Sequence, residues 1–244
     1  MTYLPHRAAG PRLRPLCRSL AGLVLLLGTA ACNQGPEEAS SSIVLGQAIR
    51  EVISDYRAPD PAPVTVTRAL LDQLGNPHLE VYIENRDLTG YAGLLRVRHD
   101  DLPGEITTWS TNDDIALFFR NGLLIGTRGL PGNLISADVP VQDNIVGPAQ
   151  GGLRRYYLRG GNSEERRITM ACELQDLGRE TLEIYERHFT TQHLQERCEG
   201  RDPDGRKTEI INEYWVDSRS REIWKSRQWA GPETGYLRIR NLAS

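Results

Sequence analysis

Lysine is nearly missing from this chain of 244 residues: Lys207 and Lys225 are the only lysines among 29 basic side chains. The formal net charge is −3, which leaves no whole-chain case for a nucleic-acid partner. The pairs Arg154-Arg155 and Arg166-Arg167 are too short to count as a basic tract. The motifs of several enzyme classes are absent as well. There is no G-x-S-x-G, no H-E-x-x-H, no Walker A sequence, and no G-x-G-x-x-G after a strand. A nucleophile elbow, a zinc-protease helix, a P-loop and a dinucleotide fingerprint are therefore all excluded, and no cofactor or metal is expected. The remaining hydrolytic chemistry is a pair of carboxylates, for which Asp113, Asp114, Asp138 and Asp143 are the candidates. Their ordinary reading is as turn and loop acids. Beyond the first 31 residues no apolar run reaches the length of a transmembrane helix.

What is present begins with a targeting pattern. His6, Arg7, Arg12, Arg14 and Arg18 precede the apolar run Leu20 to Gly28, and Thr29-Ala30-Ala31 stands directly before Cys32. This reads as a secretory signal peptide over residues 1–31. The cysteine after small residues resembles a bacterial lipobox, with Thr29 where Leu is usual. Cys32 is thus the expected lipidation site and new N-terminus. Several acyl chains on one cysteine would anchor the protein stably to a membrane without a transmembrane helix. Asn33, in place of Asp, points to the outer membrane. Residues 32–42 form a polar tether of small residues that cannot pack a core.

Residues 43–244 read as one β-rich domain. Its first element is a short N-terminal helix capped by Ser41 or Ser42, with Leu45, Ala48, Ile49, Val52, Ile53 and Tyr56 on one face and Pro59, Pro61 and Pro63 after it. Arg68 to Leu74 has the makings of one or two further helical turns between Thr67 and Gly75. From there the pattern turns to strands. Leu79, Val81 and Ile83 alternate with Glu80, Tyr82 and Glu84. Asn121-Gly122 separates Ile115–Phe119 from Leu123–Ile125 and suits a type I′ hairpin, in which both central residues take positive φ. Asn133 to Gly152 reads as a long loop. Further strands are expected at Leu153–Leu158, Arg166–Leu174, Thr181–Phe189, Thr191–Cys198, Lys207–Val216, Glu222–Trp229 and Gly235–Ile239, with turns at Gly160-Gly161-Asn162 and near Gly178. About ten or eleven strands in succession imply an antiparallel barrel, half-barrel or sandwich.

Of the cysteines, Cys172 and Cys198 remain in the domain. Both fall on expected strands that flank a hairpin, and disulfides persist in exported chains. A bond between them would close a loop of roughly 27 residues, worth about 3.5 kcal/mol if chain entropy alone is counted. Metal binding is the rival reading, and the lack of a C-x-x-C or paired histidines disfavours it.

Every tryptophan lies in one of two places. Trp109 precedes the central hairpin, and Trp215, Trp224 and Trp229 lie in the C-terminal block. Along Glu222–Trp229, strict alternation puts Trp224, Ser226 and Gln228 on one face and Ile223, Lys225, Arg227 and Trp229 on the other. An ordered set runs through the chain: Trp109, Asn121-Gly122, Thr127-Arg128-Gly129-Leu130, Cys172, Cys198, Asn212, Tyr214-Trp215-Val216-Asp217, Ile223 to Trp229 and Gly235-Tyr236. Together with the lipobox, this set resembles the YjbF family of lipoproteins, also described as the group 4 capsule polysaccharide lipoprotein or GfcB/YmcC-like family.

The resemblance implies a barrel-like or half-barrel domain tethered to the periplasmic face of the outer membrane, with a role in making or exporting capsule or exopolysaccharide. The residues themselves allow two readings of the aromatic block. Trp109, Arg128, Tyr214, Trp215, Trp224, Arg227, Gln228 and Trp229 have the chemistry of a glycan or partner surface. The aromatics among them equally suit a sheet core. Three functions follow, in order of preference. The first is a non-enzymatic lipoprotein that binds polysaccharide or an export component. The second is a carrier or chaperone for an acyl chain, which an apolar concave face would favour. The third is a polysaccharide hydrolase. The expected partners are the membrane, through the lipid anchor, and polysaccharide or its export proteins.

Overall fold

The computed structural model describes residues 66–142, 147–160 and 164–242. The signal segment, Cys32, the tether, the expected helix over residues 43–57 and Asp143 lie outside the described residues. The described helix is α1, Arg68–Leu74, with the Thr67 hydroxyl accepting from Leu70 N and Gly75 closing the end at φ 63°.

Twelve strands follow. They are β1 (His78–Ile83), β2 (Leu88–Arg98), β3 (Ile106–Ser110), β4 (Ala116–Arg120), β5 (Leu123–Arg128), β6 (Leu134–Asp138), β7 (Gly151–Arg159), β8 (Glu165–Ile184), β9 (Arg187–Arg201), β10 (Lys207–Asp217), β11 (Ile223–Trp229) and β12 (Tyr236–Asn241). All form one antiparallel sheet in the order β5-β4-β3-β2-β1-β12-β11-β10-β9-β8-β7-β6. Strands that follow one another in the chain are neighbours, except β5 and β6, and β1 joins β12. The two edges, β5 and β6, meet without a ladder: Leu134 N donates to Thr127 Oγ1 at 3.0 Å instead. The sheet is therefore a nearly closed barrel, which leaves little open edge for stray pairing.

The Asn121-Gly122 turn has both residues at positive φ, 52° and 80°, as the type I′ geometry requires. A Cβ on Gly122 would also come within 2.4 Å of Ile223 Cδ1, so the turn is pinned against β11. Three expectations shift. The segment read as a long loop contains β6 and the start of β7. The region near Gly178 is not a turn but a bulge within β8, where the register with β9 slips between Asp176 and Gly178. The turn lies at Tyr185-Glu186, both at positive φ, so the strand expected over Thr181–Phe189 is split between β8 and β9. Glycine near a polar pair is shared by turns and bulges alike.

Inward residues fill the barrel with aliphatic and aromatic side chains, among them Leu79, Val81, Leu117, Phe119, Leu134, Tyr156, Met170, Leu237 and Ile239. A second cluster joins Leu71 of α1 and Leu242 to Leu182, Ile184, Trp215 and Trp224. It forms because β8 and β9, at 20 and 15 residues, far outrun their neighbours. The end of this hairpin reaches β1 and α1. Tyr185 donates to Glu80 Oε2 at 2.6 Å, and Arg187 pairs with Asp72 at 3.1 Å. Cys172 and Cys198 are direct cross-strand partners in β8 and β9 and are bonded.

Candidate functional site

Most of the aromatics singled out in the sequence are buried. Tyr214 is fully enclosed, and Trp109, Trp215 and Trp224 are each below 9% exposed. Each buried indole finds a hydrogen-bond acceptor. Trp109 Nε1 donates to Thr107 Oγ1 at 3.0 Å, Trp215 to Glu180 Oε2 at 2.6 Å, and Trp224 to Asp217 Oδ2 at 3.0 Å. Trp224 also stacks on Phe189, and Trp215 on His193. Trp229 is half-buried, edge-on to Tyr156. These rings pack the barrel and the long hairpin; they do not make an open glycan surface. Arg128 is exposed at the end of β5, away from that block in sequence and without an aromatic partner among the ring contacts.

Strict alternation along β11 fails for one local reason. The register between β10 and β11 slips at Trp215/Val216, so Ile223 pairs with Val216 and Lys225 with Trp215. The extra residue is Trp224. It joins the outer cluster with Trp215, while Ser226 and Gln228 stay with the inward polar groups. Beyond the slip Ile223 packs inward against Tyr214 and Val216, so the bulge exchanges the faces of Ile223 and Trp224 and leaves the rest of the strand in place.

Inside the barrel lies a buried polar network that the sequence did not suggest. Arg154 on β7 pairs with Glu196 on β9 at 2.9 Å, each side chain 1% exposed. Arg154 also donates to the Tyr214 hydroxyl at 3.2 Å, and Asn212 Nδ2 donates to Glu196 Oε2 at 2.9 Å. Gln228 extends the network to the central hairpin: its Nε2 donates to Gly122 O at 3.0 Å and its Oε1 accepts from Leu124 N at 2.8 Å. Burial opposes the Arg154 charge, and the Glu196 carboxylate together with Tyr156 and Tyr214 more than restores it. Burial, followed by the Glu196 charge, raises the Tyr214 phenol well above its ordinary value, so it stays protonated. The network crosses the barrel and is closed to solvent, which makes it a structural brace. Cys172, Cys198 and Glu196 lie close together in it, but the disulfide takes up both thiols, and Glu196 is held by Arg154. That arrangement does not fit a metal.

The open chemistry lies on the outer face of β10, β11, β12 and β1. Cross-strand register sets two rows there. One runs Trp215, Lys225, Arg240, Glu80, Tyr91; the other runs Glu213, Arg227, Arg238, Tyr82, Thr89. Cations stand over rings along both. Lys225 Nζ is 3.8 Å from the Trp215 centroid, the Arg227 guanidinium is 3.6 Å from Tyr236, and that of Arg238 is 4.3 Å from Tyr82. Each such contact is worth about 0.5–1 kcal/mol where exposed and holds a long side chain in place. Glu84 takes Arg227 in a bidentate pair at 2.9 and 2.8 Å and also meets Arg238 at 3.2 Å. Glu80 accepts from Arg240 Nε at 2.7 Å. Between these rows and the end of the long hairpin runs a groove of about 550 Å³, lined by Tyr82, Lys225, Arg238, Arg240, Leu182 and Glu183 among others. The Arg238 side chain is 52% exposed there. Of the candidate residues only Arg227 belongs to these rows as a polar member; Trp215 is their buried end. The signal for the others was present in Tyr236-Leu237-Arg238-Ile239-Arg240, whose period of two turns every cation to one face. Two of the described hydrolase candidates, Asp138 and Asp113, have other partners. Asp138 meets Arg155 at 3.5 Å and the Tyr157 hydroxyl at 3.1 Å, and Asp113 accepts from Thr111 in the β3–β4 turn.

Three comparisons bear on this geometry. The family model described as group 4 capsule polysaccharide lipoprotein gfcB, YjbF matches residues 43–242. Among solved structures, the hypothetical lipoprotein YmcC from Escherichia coli aligns with TM-score 0.65 at 19% identity, covering 86% of this chain and 98% of that one. That likeness is one of fold. A lipoprotein candidate from Parabacteroides distasonis aligns with TM-score 0.38 at 10% identity over 69% of this chain and 94% of its own. No curated protein matches the sequence.

Proposed function

The chain belongs to the group 4 capsule polysaccharide lipoprotein family, YjbF, and from that membership we propose that it is anchored through Cys32 at the periplasmic face of the outer membrane, where it assists capsule or exopolysaccharide secretion by binding polymer without cleaving it. The observation that carries the binding reading is the pair of outward rows on β11, β12 and β1. Tyr82 offers an apolar ring of the kind that meets the face of a sugar. Lys225, Arg238 and Arg240 supply charged donors along the same groove, and charge-assisted hydrogen bonds are the strong ones for carboxylated sugars. Rows set by cross-strand register repeat along a sheet, as an extended polymer requires.

The test uses the exopolysaccharide of the host and the protein with Cys32→Ser. Retention of the polymer is expected for the parent and loss for the Tyr82→Ala, Arg238→Ala double variant at an unchanged melting temperature. Unaltered retention by that variant would remove the groove from the reading. New reducing ends in the incubated polymer would replace binding with hydrolysis. Fatty-acid labelling that Cys32→Ser abolishes supports the anchor; labelling that persists in the variant counts against it.

A further inference from the structure

β2 runs from Leu88 to Arg98, yet β3 pairs with it only from Gly93 onward. The half from Leu88 to Ala92 has β1 on one side and, on the other, a cavity of about 340 Å³ between α1 and the β3–β4 turn. Its walls are mostly aliphatic, with Leu71, Val81, Ile83 and Leu117 among them. The space is real at the backbone itself: a Cβ added to Gly90 would meet no atom within 4 Å. An apolar cavity of about 150 Å³ already holds benzene, so on that scale this one accepts a chain of roughly ten carbons.

One polar group in the wall is unsatisfied. His78 lines the cavity and is 3% exposed. Its Nδ1 is 2.7 Å from Asn76 O. A carbonyl only accepts, so Nδ1 carries the proton of the neutral ring. That leaves Nε2 an acceptor, and it is buried with no hydrogen-bond partner. A buried acceptor left unpaired is destabilising, and a ligand donor would remove that cost. Asp113 is the one charged side chain among the described lining residues, and it disfavours an anionic head.

We propose that this cavity binds a single uncharged aliphatic chain bearing a hydroxyl group, with the hydroxyl donating to His78 Nε2. The inference stands apart from polymer binding on the outer face, and either can fail without the other.

The test uses the full chain with Cys32→Ser, free of detergent, titrated with methyl 3-hydroxydecanoate and with methyl decanoate. One equivalent of each should bind, the hydroxy ester roughly 2- to 12-fold tighter, the range of one neutral hydrogen bond. His78→Leu should bind both esters alike. Gly90→Phe, which fills the cavity, should remain folded by melting and bind neither; Gly90→Leu is the smaller alternative should the phenylalanine prevent folding. In the parent, the ring ¹⁵N resonances of His78 should move with the hydroxy ester and much less with the other. The proposal is overturned if neither ester binds, if a folded Gly90 variant binds as the parent does, or if the hydroxyl preference survives His78→Leu. Dimerisation that competes with ester binding would mean that a second copy fills the site, and would overturn it as well.

Discussion

Arg154 and Glu196 meet at 2.9 Å in the middle of the barrel, both side chains 1% exposed. They join β7 to β9 across β8, and with Tyr214, Asn212 and Gln228 they connect the long C-terminal strands to the Asn121-Gly122 hairpin. Such a pair specifies an arrangement more than it adds stability.

Removing one partner should therefore cost more than removing both. Glu196→Ala leaves a buried guanidinium with its main partner gone and is expected to destabilise by about 3–5 kcal/mol. Arg154→Met with Glu196→Leu should recover a large part of that loss. Urea unfolding of the three variants checks it; a double variant as unstable as the single one would show that the network, not the charge, sets the cost.

Trp224 is placed by the β11 bulge between Phe189 and Asp217. Trp224→Ala should lose about 3–5 kcal/mol and detach the end of the long hairpin. Hydrogen exchange should then rise first over Thr181–Phe189. A variant that melts with the parent would mean that the outer cluster contributes little.

The disulfide joins directly opposed strands of β8 and β9 with a sequence separation of 26. Cys172→Ser with Cys198→Ser should keep the fold, because the ladder around it is continuous, but lower stability by about 3.5 kcal/mol on chain entropy alone. Denaturation of oxidised protein and of the double variant gives the difference directly.

Burial lowers the pKa of His78 below its ordinary 6.5, while the hydrogen bond to Asn76 works the other way. The folded state thus resists a proton that the unfolded chain accepts. Stability should hold above pH 6.5 and fall as the pH drops from there through the lower folded value. His78→Leu should flatten that part of the pH profile. A wild-type profile level from pH 7 to 5 would contradict the assignment.

How much of this was legible beforehand follows from the range of each force. The Asn121-Gly122 turn was readable because positive φ is a local demand that few residues meet. The facing cysteines, the Thr67 cap and the alternation of β1 and β12 were readable because each depends on spacing along one strand or helix. Family membership was readable because its marks are local motifs in order. The outer rows were half-readable: a period of two assigns Arg238 and Arg240 to one face, but only strand register sets Tyr82 and Lys225 beside them.

The remainder depended on the closed sheet. Alternation separates two faces of a strand without saying what covers each, and here both are covered, the inner by the barrel and part of the outer by the β8–β9 hairpin. Polar residues such as Arg154, Glu196, Asn212 and Gln228 read as surface in sequence. They are buried because strands far apart in the chain bring their partners within hydrogen-bond reach. Trp224 changed faces through a single slipped register with β10. The His78 cavity exists because β3 stops short of β2, a matter of strand length in a neighbour. The sequence by itself determined most of the strands, the Asn121-Gly122 turn and the family. Only tertiary contact decided which polar groups are sealed inside and which cations and rings face outward, because burial belongs to the assembled sheet and to no single strand in it.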